Sequence, residues 1–399
     1  MNVATQHEQL IGTRENGAAF KVLMLMARTG GGHVSLAEAL RDRLIDRATV
    51  EIVDPSPEII RWHYRVVSRR ARWLWSLEYR LSDAPASAWL THQLYATLFG
   101  RNLARLIHAQ QPDIVMSTYP FLTLEVMTAI KRTRRQIPFI MLFADPETVH
   151  HAWLTERRAA LTLAPTRETY HLAQQAGFVP ERLHLSGWPV RAQFWQVAPE
   201  VCRATLHRLH LDPERFTVFV QGGGEGAAGF AHTVDTLLKV NQQFVGNPLQ
   251  IILAAGTNAQ LLERYRNTPD VRAIPFTPDV APYMAAANVI MGKAGPNTLF
   301  ESVTLGRPFV ATTYIPGQEE TNLAFINRYK LGWIALNPRD QYQLITSLVQ
   351  DHRRLAGTTA MVEQYRNWNN EAAAHIAPVT QEVYQCFHTG SKGKVRPSC

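Results

Sequence analysis

Little in this chain supports a disulfide-stapled, metal-built or membrane-spanning architecture. Its 399 residues hold three cysteines, Cys202, Cys386 and Cys399. Neither their odd number nor their spacing suits a disulfide framework or a zinc site, so a reducing compartment is expected. No run of eighteen apolar residues occurs, which argues against a spanning helix. The first twenty residues mix His, Glu, Arg and Asn around no apolar centre, so no secretory signal is read there and a cytoplasmic location is expected. The pattern GxxxxGK[ST] is missing, which argues against a P-loop nucleotide hydrolase. Acidic residues are the minority: 33 Asp and Glu against 41 Lys and Arg leave a formal charge of +8. With a sequence pI near 9.5, the excess favours an anionic partner: nucleic acid, an anionic membrane or a phosphorylated substrate.

What is present reads as a globular chain, 46% hydrophobic and 19% charged, long enough for two domains. Residues 21–27 (KVLMLMA) form an apolar run of strand length. Arg28-Thr29-Gly30-Gly31-Gly32-His33 follows, then helical spacing at Leu36, Leu40 and Leu44, then a strand at 49–53. This is a βαβ opening with buried parallel strands. Taken alone, its glycine turn is explained as well by close strand–helix packing as by a site. The alternation resumes with strands at 112–117, 138–143 and 162–165. It recurs in a second half at 216–221, 250–255, 273–277, 288–291 and 308–312. An α/β fold is therefore predicted.

Residues 57–108 break that rhythm. Segment 61–80 carries six arginines and one glutamate, with Trp62, Val66, Trp73 and Leu77 near one helical face and Arg61, Arg65, Arg69 and Arg72 beside it. An interfacial helix among anionic headgroups has this make-up. So does a helical hairpin that buries Trp62, Trp73 and Trp89 and leaves its arginines solvated.

The chemistry gathers in residues 289–322. A short strand runs into Gly292-Lys293-Ala294-Gly295, and Pro296 stands where a helix begins. The first turn, Pro296-Asn297-Thr298, directs free N–H groups and the positive dipole end outward, which suits phosphate. Glu301, one and a half turns on, is within reach of the two hydroxyls of a ribose whose phosphates rest there. Gln318, Glu319 and Glu320 offer an amide and two carboxylates to further hydroxyls. Gly222-Gly223-Gly224 closes the 216–221 strand, and its N–H groups suit a diphosphate. At strand ends of the first half, His33 and Asp145 are candidates for one cleft. The helix dipole disfavours an imidazolium at His33 and leaves a ring able to take a proton. His150 and His151 with Asp145 could suggest a metal, but the spacing is loose and no third ligand set is evident, so none is assigned.

The 289–322 stretch resembles the donor site of inverting nucleotide-sugar glycosyltransferases such as the peptidoglycan lipid-intermediate N-acetylglucosaminyltransferase. It resembles still more the monogalactosyldiacylglycerol synthases and processive diacylglycerol glucosyltransferases, where GKAGPGT and PGQE or AGQE followed by Asn recur. Asn297 replaces the usual glycine, and Asn322 is the matching asparagine. Gly30-Gly31-Gly32-His33 and Gly187-Trp188-Pro189-Val190-Arg191 are similar to that family's TGGGH and Gly-x-Pro-Val/Ile-Arg segments.

The resemblance implies a GT-B architecture, two Rossmann-like domains facing across a cleft. It implies an acceptor domain 20–191, a nucleotide-sugar domain 192–365 and a crossover helix 366–388, and composition adds the expectation of a flexible leader 1–19 and a disordered tail 389–399. It implies Phe276 and Thr277 at the nucleobase and Glu301 on the ribose. The diphosphate falls to Gly222, Gly223, Gly224, Lys293 and the Gly295–Thr298 tip, and the sugar hydroxyls to Gln318 and Glu319. On the acceptor side it implies His33 as base beside Gly31 and Gly32, with Asp145 as orienting partner or rival; the expected membrane contact through Trp62, Arg65, Arg69, Arg72 and Trp73 comes from the residues themselves, in the segment that departs most from the family. The implied reaction moves galactose or glucose from a UDP-sugar to diacylglycerol with inversion, peripherally on the inner face of the cell membrane. No cofactor and no obligatory divalent ion is expected. The alternatives are another lipid or polyprenyl-diphosphate acceptor, or a non-catalytic membrane-binding protein of the same fold. A nucleic-acid partner would rest on pI alone and is not assigned.

Overall fold

The computed structural model describes residues 20–28, 31–56, 81–222 and 230–388. The membrane candidates Trp62, Arg65, Arg69, Arg72 and Trp73, the glycines Gly223 and Gly224, and the expected leader and tail lie outside them.

The first sheet contains β1 (Phe20–Leu25), β2 (Ala48–Val53), β3 (Ile114–Ser117), β4 (Phe139–Leu142), β5 (Leu161–Ala164) and β6 (Leu183–Leu185), in the order β2-β1-β3-β4-β5-β6. The second contains β7 (Phe216–Gln221), β8 (Leu249–Gly256), β9 (Val271–Pro275), β10 (Val289–Lys293), β11 (Phe309–Thr313) and β12 (Gly332–Ile334), in the order β12-β11-β10-β7-β8-β9. Every pairing is parallel. The apolar runs explain this: β3, β4 and β5 are buried at every position, and a strand without a wet face needs helices on both sides.

Residues 85–110, inside the stretch that breaks the strand–helix rhythm, form one 26-residue helix, Pro85–Gln110. It buries His92, Ala96, Gly100, Leu103 and Ile107. Trp89 shares that face, yet near the start of the helix it is 55% exposed, so the hairpin reading that packs Trp89 inside does not hold. Among the described residues, no helix is long and apolar enough to cross a membrane.

The two halves share one apolar core. At the junction the Trp188 ring lies flat on Phe300, centroids 4.7 Å apart. Asn369 holds the Trp188 backbone through both amide atoms, at 2.7 and 3.0 Å. Gly187 permits this approach, with φ +63° and no room for a Cβ, which would stand 2.7 Å from the Asn369 carbonyl. The helix His352–Ala374 ends there, and Ile376–His388 crosses to the first domain, where Tyr384 stacks on Phe20 at 4.8 Å. The crossing element thus begins at 376, and residues 366–374 belong to the preceding helix.

Candidate active site

Both sides of the cleft lie where strand order reverses. From β1 the chain moves outward to β2, then crosses to β3 on the other side; β7 and β10 are related in the same way. The carboxyl ends of such strand pairs flank a crevice in which doubly wound sheets bind ligands.

His33 follows β1 in the first turn of the helix Gly32–Leu44, and Thr118 follows β3. The His33 Nδ1–H donates to the Thr118 carbonyl at 2.6 Å, and Thr118 Oγ1 donates to the His33 carbonyl at 3.2 Å. A carbonyl only accepts, so Nδ1 carries the hydrogen and the lone pair lies on Nε2. Burial lowers the imidazole pKa to about 4 against the pull of that carbonyl. At neutral pH the ring is therefore an uncharged acceptor of protons.

Asp145 follows β4. Burial first, and then the charge of Asp83, push its carboxyl up to about 7, while Trp153 and the His150 N–H pull the other way. Asp145 does not orient His33, because the strand-end carbonyl of Thr118 already occupies the nitrogen through which a partner would act. A carboxyl ionising near neutrality keeps the chemistry of the other expected role, that of a rival base. His150 and His151 serve their own turn. The His151 N–H and Nδ1–H donate to Asp83 Oδ1 at 2.8 and 2.9 Å, and His150 Nδ1 accepts the Ala152 N–H at 3.1 Å.

On the opposite side, β10 leads through Gly295 into the helix Pro296–Thr304. Gly292 lets β10 lie against β7, since a Cβ there would stand 2.6 Å from the Gln221 carbonyl. Pro296 has no N–H, that of Gly295 goes to the Lys293 carbonyl at 2.7 Å, and that of Leu299 to the Gly295 carbonyl at 3.1 Å. The N–H groups of Asn297 and Thr298 are left for an anion. Gln221 Nε2 donates to Thr298 Oγ1 at 2.9 Å, tying this tip to the end of β7 beside Gly222.

The polar residues around the tip have partners of their own. Lys293 is ion-paired with buried Glu319, whose second oxygen accepts the Ile315 N–H at 2.9 Å. Asn322 donates to the Ala294 carbonyl at 2.8 Å and braces the Gly-Lys-Ala-Gly turn from behind. Gln318 is half-buried in the turn before the helix Glu320–Tyr329. At the end of β9 the Phe276 ring is 64% exposed, an open face for a flat base, and Thr277 Oγ1 accepts the Asp279 N–H at 3.2 Å. Glu301 is buried, and its Oε1 accepts from Arg191 Nη2 at 3.0 Å, with Glu38 3.7 Å from the same guanidinium. Burial raises the Glu301 pKa, opposed by Arg191 and Ser35. A ribose would have to share this carboxylate with Arg191, through oxygen lone pairs that the ion pair leaves over.

Asn297 joins the two sides. Its Nδ2 donates to the Gly32 carbonyl at 2.8 Å, and its Oδ1 accepts from the Trp188 indole at 3.3 Å. The acceptor-side and donor-side helix tips therefore meet, with His33 one residue from the contact.

Two family descriptions match these two halves: monogalactosyldiacylglycerol synthase over residues 33–190, and the glycosyltransferase family 28 C-terminal domain over 217–331. The first half is thus similar to the monogalactosyldiacylglycerol synthases and the second to the family 28 glycosyltransferases. A probable monogalactosyldiacylglycerol synthase 2, chloroplastic, from Oryza sativa subsp. indica is 27% identical over 370 residues, covering 85% of this chain and 76% of the relative. Monogalactosyldiacylglycerol synthase 1 of Arabidopsis thaliana is 27% identical over 344 residues, 82% of this chain and 64% of the relative. Among solved structures, the calicheamicin glycosyltransferase CalG4 superposes with a TM-score of 0.62 at 15% identity, covering 94% of this chain and 99% of its own. MurG of Acinetobacter baumannii gives 0.58 at 17%, covering 91% and 99%. The architecture is GT-B, and the protein is a glycosyltransferase with relatives among the monogalactosyldiacylglycerol synthases.

Three residues that shape the site carry no sequence signal for it. Thr118 acts through its main chain, which every residue possesses. Arg191 and Trp188 stand in the segment that marks the domain boundary, and only the fold brings them to Glu301 and Asn297.

Proposed function

We propose that this glycosyltransferase moves a hexose, galactose or glucose, from a UDP-sugar to diacylglycerol with inversion, giving a β-glycosyldiacylglycerol. The observation that carries the reading is the His33–Thr118 bond, which leaves a neutral imidazole with its lone pair on Nε2 beside the donor helix tip. In this reading the acceptor hydroxyl gives its proton to Nε2 as its oxygen attacks the anomeric carbon. The bond from that carbon to the diphosphate breaks on the opposite face, and its electron pair leaves with UDP. The Asn297 and Thr298 N–H groups meet the charge on the departing phosphate, joined by Gly222 and by Lys293 once it exchanges Glu319 for phosphate. With that charge met by protein groups, a divalent ion is not required. Phe276 and Thr277 flank the base, Glu301 accepts from the ribose, and Gln318 and Glu319 read the sugar hydroxyls. The names of the relatives favour galactose and diacylglycerol.

A membrane surface is supported by the outer face of the Pro85–Gln110 helix. At 100° per residue, Leu90, Leu94, Leu98, Arg101 and Arg105 fall within an arc of about 80°. All five are exposed. Leucines ending in arginines suit the boundary between acyl chains and anionic headgroups, so a peripheral position on the inner face of the cell membrane belongs to the reading.

The test offers UDP-galactose, UDP-glucose and UDP-N-acetylglucosamine with vesicles containing diacylglycerol and an anionic lipid, the lipid products being identified by mass spectrometry. A β-hexosyldiacylglycerol supports the reading. Transfer only to a polyprenyl diphosphate, or to no lipid, overturns it.

A further inference from the structure

A polar cavity of about 320 Å³ lies where the chain passes from one domain to the other, and no residue of the cleft described above lines it. Its walls are residues 194–197, the end of the helix Pro296–Thr304 with Arg307 just beyond, and one face of the helix His352–Ala374. Arg366, Asn367 and Asn370 come from that face, about one turn apart, and Gln196 from the linker. No carboxylate lines the cavity, and neither arginine is ion-paired among the described residues.

A glycine admits Arg366. Gly306 has φ +71°, and a Cβ there would stand 2.8 Å from Arg366 Nη1, so another residue would strain the backbone and push the guanidinium aside. Arg307 comes next in the chain. Its Nη2 donates to the Ala285 carbonyl at 2.7 Å, while its buried Nε has no partner among the described residues. Burial lowers the Arg307 pKa, the Cys202 thiol opposing it, the Arg366 charge adding to it and Glu363 opposing it. Two cations around one part-buried space, with no carboxylate in its walls, cost stability. Capping of the helix does not account for them, because the Gly306 and Arg307 N–H groups already take the Val303 and Ser302 carbonyls at 2.8 and 2.9 Å. Guanidinium and amide donors around a polar space form the donor set of an oxyanion.

We propose that this cavity is a second anion site, separate from the donor tip, which takes a phosphate group between Arg307 and Arg366. The phosphate oxygens accept from both guanidinium groups and from the amides of Asn367 and Asn370. Through Gln196 the bound anion ties the linker to the second domain and stiffens the junction. The helix that offers its first turn to the diphosphate ends at this cavity, about 13 Å from that turn, so the two sites can be filled together.

The test compares the full-length wild type with Arg366→Gln, and with Arg366→Lys, which keeps the charge. Inorganic phosphate, glycerol 3-phosphate, and phosphatidylcholine vesicles with and without phosphatidylglycerol are titrated at matched ionic strength, each with and without saturating UDP. Calorimetry is read where all three proteins are folded, and thermal unfolding is followed beside it. Phosphate at about ten times its Kd is expected to raise the wild-type unfolding midpoint by about 2 °C with UDP present. Arg366→Gln is expected to weaken phosphate binding about tenfold or more, with Arg366→Lys between the two and UDP affinity equal within about twofold. A response to phosphatidylglycerol vesicles alone, lost in Arg366→Gln, supports the same site with a lipid headgroup as the source of the phosphate. Equal responses in wild type and Arg366→Gln, or a phosphate response that UDP abolishes, overturn the proposal.

Discussion

Asn297 Nδ2 donates to the Gly32 carbonyl at 2.8 Å, across 265 residues of sequence and between the two domains. Asn297 is thus a bridge between the donor-side helix tip and the tip that carries His33. Asn297→Gly removes the bridge and leaves both N–H groups of the donor tip. UDP affinity is expected to change less than about threefold, while the midpoint of thermal unfolding falls by an amount equivalent to about 1 kcal/mol. Asn297→Asp keeps the size but sets a negative charge beside both the Gly32 carbonyl and the diphosphate. UDP binding by calorimetry is expected to weaken about tenfold or more, and less so at high salt.

Arg191 and Glu301 form an ion pair that spans the junction, with the carboxylate buried and the guanidinium only partly so. Removing the cation strands a buried carboxylate, whereas Glu301→Gln leaves a neutral amide. Arg191→Ala is therefore expected to cost about 3 kcal/mol of stability and Glu301→Gln clearly less. The order reverses for ligand: Glu301→Gln weakens UDP binding more than Arg191→Ala does, because one neutral amide oxygen replaces a charged carboxylate as acceptor for the ribose hydroxyls. Urea unfolding with and without UDP separates the two effects.

The two ionisable groups at the acceptor side oppose each other in their pH dependence. His33 has a folded pKa of about 4 against an ordinary 6.5, so the unfolded chain binds more protons between those values. Its contribution to stability is complete above 6.5 and is lost as pH falls toward 4. Asp145 is raised from 3.8 to about 7. Here the folded chain holds the proton, and the stabilisation is present below 3.8 and lost as pH rises through 7. His33→Gln is expected to flatten the stability curve between pH 4 and 6.5, and Asp145→Asn to gain on wild type as pH rises from 4 to 7, both read from urea midpoints.

Much of this arrangement could be read from the residues. Apolar runs such as those of β4 and β5 announce buried parallel strands, and the sequence Gly292 to Pro296 marks a strand end, a turn and a helix start in order. Elements without periodicity were not legible: β6 has three residues, and the helix Ala259–Tyr265 has seven. Nor were the partners that occupy the expected ligands. Glu319 is a plausible hydroxyl acceptor by type, yet its ion pair with Lys293 depends on a turn geometry that no spacing rule specifies. Trp89 counts as core by hydrophobicity and by its place on the arc of His92 and Ala96, yet it is 55% exposed near the start of its helix, where no spacing rule tells whether a neighbour covers it.

The outer leucines of Pro85–Gln110 are more than half exposed and lie outside the site described above, so replacing them tests the membrane contact without touching the cleft. Leu90→Glu with Leu94→Glu is expected to leave UDP affinity and unfolding unchanged and to reduce sedimentation with anionic vesicles about tenfold or more. Retained vesicle binding would remove this face from the account.

The central claim is that a neutral His33 accepts the proton of the acceptor hydroxyl and plays no part in holding the donor. UDP titrated calorimetrically into wild type and His33→Asn, paired with single-turnover transfer to diacylglycerol, reads both halves at once. The account predicts UDP affinities equal within about twofold and a transfer rate lower by about 10²- to 10⁴-fold. A variant that still transfers at near wild-type rate, or whose slow transfer follows lost UDP binding, would contradict it.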